Sequence, residues 1–142
     1  MIHNISKQTV ISADTIYAEN FFDRSRGMIC RDFSTFDGMV FENCRAIHTF
    51  FMTIKLDVIF VDDSYQICGL YESLPAWLPL IRNSKSTTVI ELPVGVIKRS
   101  KCSIGDIVNI KTEIFDKTHE QILANKVLVN TETIIPFTEK PQ

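Results

Sequence analysis

The chain has 142 residues, 45% hydrophobic and 23% charged, with a formal net charge of −2, the profile of an ordinary globular domain. That length builds one core without staples and falls short of two domains. The balanced charge, with no run of five like residues, excludes the basic stripe of a nucleic-acid binder, and the lack of any eighteen-residue apolar stretch excludes a transmembrane helix.

The opening Met1-Ile2-His3-Asn4-Ile5-Ser6-Lys7-Gln8 lacks a basic segment followed by an apolar one, so it does not read as a signal peptide, and the expected location is the cytoplasm. Cys30, Cys44, Cys68 and Cys102 are too scattered for a zinc site and read as free, packed thiols.

Residues 9–17 are β-branched and alternate loosely, which predicts an edge strand and a turn. Across residues 18–30, Phe21, Phe22, Ser25, Met28 and Ile29 recur at helical spacing, predicting a short amphipathic helix, with Gly27 either admitting a neighbouring backbone or ending the helix early. Asp37-Gly38 marks a turn before a strand at 39–41, and residues 46–52 predict another strand. Residues 56–62 and 65–71 flank Asp62-Asp63-Ser64 as a hairpin. Residues 73–86, with two prolines and the single Trp, read as a long loop. A strand follows at 87–92, then a short helix from Pro93 to about residue 100, a Gly105-Asp106 turn and a strand at 107–110. Lys98-Arg99-Ser100-Lys101 reads as a solvated turn. Residues 116–125 suggest a short helix and 126–135 a strand or strap, with a frayed end. The whole predicts a mainly β domain, a small barrel or sandwich carrying one early helix, with residues 1–112 as the domain and 113–142 as a C-terminal extension.

The phosphate-cradling and dinucleotide glycine motifs, the nucleophile elbow and the metalloprotease helix are all absent. Cys44, His48 and Met52 have the chemistry of a soft-metal site, but on a strand they spread too far for one ion, so no metal or other cofactor is expected. His48 alone can serve as a base or as a wall residue. Asp57 and Glu91 are carboxylates inside apolar strands and demand partners. Arg26 and Arg31 are the natural candidates, as ion pairs tying helix to sheet; otherwise one carboxylate faces a pocket and holds a ligand. Trp77, in Pro75-Ala76-Trp77-Leu78-Pro79, is either a lid on the core or a stacking platform.

Six pieces occur in a recognisable order: Arg26-Gly27-Met28 with Arg31, Asp37-Gly38-Met39-Val40-Phe41, Phe50-Phe51-Met52, Leu56-Asp57-Val58-Ile59-Phe60, Glu91-Leu92-Pro93-Val94-Gly95 and Gly105-Asp106. Over residues 10 to 112 the chain thereby resembles the family known as domain of unknown function 192, or uncharacterised protein family 0127. Many members carry Trp before the methionine and Lys-Asn-Thr after it; here Phe51 precedes it, Thr53-Ile54-Lys55 follow, and His48-Thr49 stand ahead of the aromatic pair. The tail from residue 113 lies outside the pattern. The resemblance implies a β-rich, barrel-like fold with the early helix beside it, and no function. Many members look exported.

Three functions remain open on the sequence. The favoured one is a non-enzymatic domain that binds a small molecule or a protein segment through Arg26, Arg31, His48, Asp57, Trp77 or Glu91. The second is a hydrolase or isomerase pairing His48 with Asp57. The third is an assembly protein that uses residues 113–142. The oligomeric state is open, and no nucleic-acid or membrane partner is expected.

Overall fold

The structure is a computed structural model that describes residues 1–110. In chain order the elements are β1 (Ile2–Asn4), β2 (Thr9–Ser12), β3 (Thr15–Tyr17), α1 (Phe21–Arg26), β4 (Gly38–Glu42), β5 (Ala46–Ile47), β6 (Leu56–Val61), β7 (Ile67–Leu74), β8 (Ile81–Arg82), β9 (Thr88–Leu92), α2 (Val96–Arg99) and β10 (Val108–Asn109). They build a five-stranded sheet in the order β3-β4-β9-β6-β7, a three-stranded sheet β10-β1-β2 and a small β5-β8 pair. The domain is mainly β, as the alternation of short apolar runs and turn residues predicts.

The centre is β6 against β9, antiparallel, with Val58 opposite Glu91 and Asp57 opposite Leu92. Every residue of β6 is buried, and four of the five in β9 are. A strand covered on both faces reads as a continuous apolar run, and its alternate side chains feed two separate cores. Ile59, Val61, Ile90, Leu92 and Val40 pack with Ile2, Ile11, Val96, Ile97 and Val108. On the other face, Leu56, Val58, Phe60, Val89, Met39 and Phe41 pack with Met28, Ile47, Met52 and Ile81.

Period-two alternation sends neighbouring carboxylates to opposite faces. Asp57 points to the α2 side, where it accepts hydrogen bonds from the backbone N–H groups of Gly95 (2.9 Å) and Ile97 (3.0 Å), and from that of Ser73 on β7 (2.9 Å). The single carboxylate therefore caps α2 and fixes β7 in register. Gly95 holds φ +92° at this cap, in the left-handed region that glycine occupies without strain.

Four expectations need correction. The early helix spans six residues rather than the length of 18–30, because Gly27 ends it at φ +48°. The strand expected over 46–52 stops at Ile47, because Thr49, fully buried, ties the turn after it to the 75–78 turn. Its N–H donates to the Leu78 carbonyl, its hydroxyl to the Pro75 carbonyl, and it accepts from the Leu78 and Trp77 N–H groups. The loop at 73–86 holds the end of β7 and all of β8. Last, the described strands do not close into a barrel: the main sheet ends on β3 and β7. The helix and strap expected within 113–142 lie outside the described residues. Among those residues no helix is long and apolar enough to cross a membrane.

Asp57→Ala leaves three backbone N–H groups without their acceptor and should cost about 3 kcal/mol or more. Urea unfolding should show a lower midpoint at unchanged slope; a loss below about 1 kcal/mol would remove Asp57 from this anchoring role.

Candidate functional site

Three of the six residues singled out from the sequence meet at one cavity on the face of the sheet opposite Asp57. Its volume is about 180 Å³, and Arg24, Arg26, Gly27, Met28, Phe41, Cys44, His48 and Glu91 are among the residues lining it. α1 and the turn after it supply the arginines and Gly27, β4 supplies Phe41, the segment around β5 supplies Cys44 and His48, and β9 supplies Glu91.

Glu91 dominates the chemistry. The residue is 3% exposed, and its Oε2 has no hydrogen-bond partner among the described residues. Burial pushes its pKa from 4.5 up to about 8, so near neutral pH the group is chiefly a carboxylic acid with one O–H to give and acceptor capacity to spare. Gly27 faces it: a Cβ at that position would stand 3.7 Å from Oε2 and 3.6 Å from the Phe41 ring. That distance is ordinary contact, but φ +48° makes any side chain there costly.

The arginines hold the cavity wall by gripping main chain. Arg24 donates to the Glu42 carbonyl (2.7 Å), and Arg26 to the carbonyls of Ile29 (3.1 Å) and Cys30 (3.3 Å). The expected pairing of Arg26 and Arg31 with Asp57 and Glu91 is corrected on every count. Arg31 pairs instead with Asp23 at 2.7 Å, and this guanidinium holds the Asp23 carboxyl below the ordinary carboxylate range. Asp57 is satisfied by backbone, and among the described residues Glu91 pairs with no arginine.

Arg31 lies along a second, larger groove of about 810 Å³ that includes Tyr17, Asp23, Cys30 and Met39. There Arg31 pairs with Asp23, Asp32 accepts from the Ser34 N–H and hydroxyl, and the Tyr17 hydroxyl donates to the Ile110 carbonyl. The smaller cavity is the better candidate because its buried acid is unmatched.

The His48–Asp57 catalytic pair is not formed. Asp57 is on the α2 face and committed to three N–H groups, whereas His48 is exposed and lines the Glu91 cavity. Cys44, His48 and Met52 do not converge either: Met52 is sunk in the core while His48 faces outward. Trp77 is not a lid, being 59% exposed. The assembly role rests on residues 113–142, outside the described residues. Sequence reasoning missed Arg24, Phe41 and Gly27 as wall residues of the cavity, and only Gly27 carried a local signal, as a glycine inside a helical pattern.

The model of the DUF192 family, described as Uncharacterized ACR, matches residues 2–110. Two curated relatives are similar to this chain. A UPF0127 protein of Thermococcus sibiricus is 32% identical, over 80% of this chain and 76% of its own length. A UPF0127 protein of Pyrococcus abyssi is 31% identical, over 75% and 93%. Among solved structures, a protein of unknown function from Novosphingobium aromaticivorans aligns with TM-score 0.59 at 19% identity, over 67% of this chain and 73% of that one. A Sinorhizobium meliloti protein aligns with TM-score 0.59 at 22% identity, over 67% and 79%. These two likenesses show the fold alone.

The buried acid has a signature in stability. The unfolded carboxyl ionises near 4.5 and the folded one near 8; between those values the folded state holds more protons. Stability from this group is therefore full below the lower value and is lost as pH rises to the upper one. The stability difference between wild type and Glu91→Gln should shift against wild type by about 1.4 kcal/mol per pH unit from about pH 5 to pH 8. Urea unfolding across that range is the measurement, and a flat difference would mean that Glu91 is ionised in the fold.

Proposed function

This chain belongs to the DUF192 family, for which no function is established, and we propose that it is a non-enzymatic binding domain whose Glu91 cavity takes a small, uncharged polar group. One observation carries the reading: a carboxyl group with an unpartnered, buried oxygen lines an accessible cavity. A buried acid without a partner costs a fold on the order of 1–3 kcal/mol, and a ligand that gives and accepts a hydrogen bond there removes that cost.

The charge around the cavity narrows the ligand. A cation would face Arg24 and Arg26 on the same wall. An anion would find much of their donor capacity turned to main-chain carbonyls. A hydroxyl or a primary amide matches a neutral carboxyl on both counts. The reading as a binder rather than an enzyme is supported by the commitment of Asp57 to three backbone N–H groups, which leaves the His48–Asp57 base–orienter pair unformed. We also place the protein in a reducing compartment, the cytoplasm, a reading supported by its four free cysteines.

Glu91→Leu should be more stable than wild type by about 1–3 kcal/mol, since the unmatched group is gone. It should also lose every ligand response. In a thermal-shift screen of monosaccharides, polyols and primary amides, at least one compound should raise the melting temperature of the wild type with concentration and leave Glu91→Leu unmoved. If no compound does so, or if both proteins respond alike, the cavity is not a binding site.

A further inference from the structure

His48, on the wall of the cavity, is the first in a line of neighbouring rings. The His48 and Phe50 rings lie 5.9 Å apart between centroids, Phe50 and Phe51 6.2 Å, and Phe51 and Trp77 5.3 Å. This chain of rings leaves the rim of the cavity and runs over the surface, with Phe51 63% and Trp77 59% exposed. Exposed Phe and Trp in contiguous contact are unusual on a lone domain and mark a binding surface.

The backbone is arranged to hold them out. Phe51 and Trp77 sit at φ +60° and φ +68°, a region that bulky side chains rarely enter. Thr49 carries the load, since its backbone and hydroxyl bond both turns that present the rings. Ala76 and Leu78 on either side pack inward on the core, so Trp77 is turned out between two anchored neighbours.

We infer that the ligand of this domain is a carbohydrate chain, one sugar seated over Glu91 and the following sugars stacked along Phe50, Phe51 and Trp77. The inference rests on the cavity reading above and names its ligand class. A pyranose has the two surfaces that this site needs. Its hydroxyls both give and accept hydrogen bonds, which suits a neutral carboxyl, and its C–H faces are apolar, which suits aromatic rings. Stacked bases would use the same rings, but a nucleic-acid strand also needs a basic groove along its phosphates, and this chain carries net charge −2.

Trp77 is the only Trp in the chain, so its fluorescence reports on the outer end of the site. Wild type is titrated with glucose, mannose and N-acetylglucosamine and with a linear hexasaccharide of each, by Trp emission and by calorimetry. At least one hexasaccharide should shift the emission saturably and bind about tenfold or more tightly than its monosaccharide. Trp77→Ala and Phe51→Ala, each with an unchanged urea midpoint, should reduce that hexasaccharide to the affinity of the monosaccharide, and Glu91→Leu should abolish both. Equal affinity for monosaccharide and hexasaccharide, or indifference to both ring variants, would overturn the outer site. Binding of oligouridylate or a proline-rich peptide at Trp77 with no sugar binding would do the same. If no sugar binds but a polyol or amide stabilises wild type and not Glu91→Leu, the carbohydrate class is wrong and the cavity stands; with no Glu91-dependent ligand at all, both readings fall.

Discussion

The β6–β9 pairing is the constraint on which the rest of the domain depends. Both strands are buried on both faces, so each alternate residue must satisfy a different core. With Val58 opposite Glu91, the register commits the two in-strand carboxylates to opposite sides. A slip of one residue would exchange Asp57 and Glu91 with apolar neighbours and put the wrong groups in both cores. The two acids thus come from one pairing and have opposite fates. Asp57 meets three N–H donors, and among the described residues Oε2 of Glu91 meets none.

That asymmetry separates architecture from function. A carboxylate holding the cap of a short helix and a neighbouring strand pulls elements together, and its loss is a loss of fold. A protonated acid with a buried, unpartnered oxygen does nothing for the fold that a leucine would not do better. Proteins tolerate such a group where its unmatched hydrogen-bonding capacity is used by something outside the chain. The residues that frame it follow the same division. The guanidinium of Arg26 closes the turn after α1 by gripping the Ile29 and Cys30 carbonyls. Met28 plugs the core, and Gly27 between them presents no side chain to Glu91.

Much of this was legible in the residues. The β6–β7 hairpin, β9 and α2 follow from apolar runs broken by Asp62-Asp63-Ser64 and Pro93, because local turn chemistry and burial agree there. Glu91 announced itself as a charge inside an apolar strand. The partners did not. Arginine is the natural counterion for a buried carboxylate, but Asp57 found backbone donors brought by a loop 38 residues away in sequence, and no local pattern encodes that. The segment after Ile47 was misread for a related reason. Thr49-Phe50-Phe51 has strand propensity, and only the tertiary bonds of Thr49 bend it into a turn. Closure of the sheet was equally invisible, since strand count and spacing do not state which edges pair.

The same tertiary bonds explain why the aromatic residues face water. Left to propensity, Phe50, Phe51 and Trp77 would be buried, and the two core clusters have the apolar company to take them. Instead Thr49, beside them in the chain, is fully buried, with its hydroxyl both giving to Pro75 and accepting from Leu78. A threonine whose hydroxyl both gives and accepts a hydrogen bond in the facing turn fixes the distance between the two turns, and with it the edge-to-face contact of Phe51 and Trp77. Replacing it with valine would keep the volume and remove the hydroxyl, so the rings would lose their spacing before the sheet lost its core. The outer surface is therefore set by one polar residue, independent of the β6–β9 register that sets Glu91, and the two halves of the site can be disabled separately.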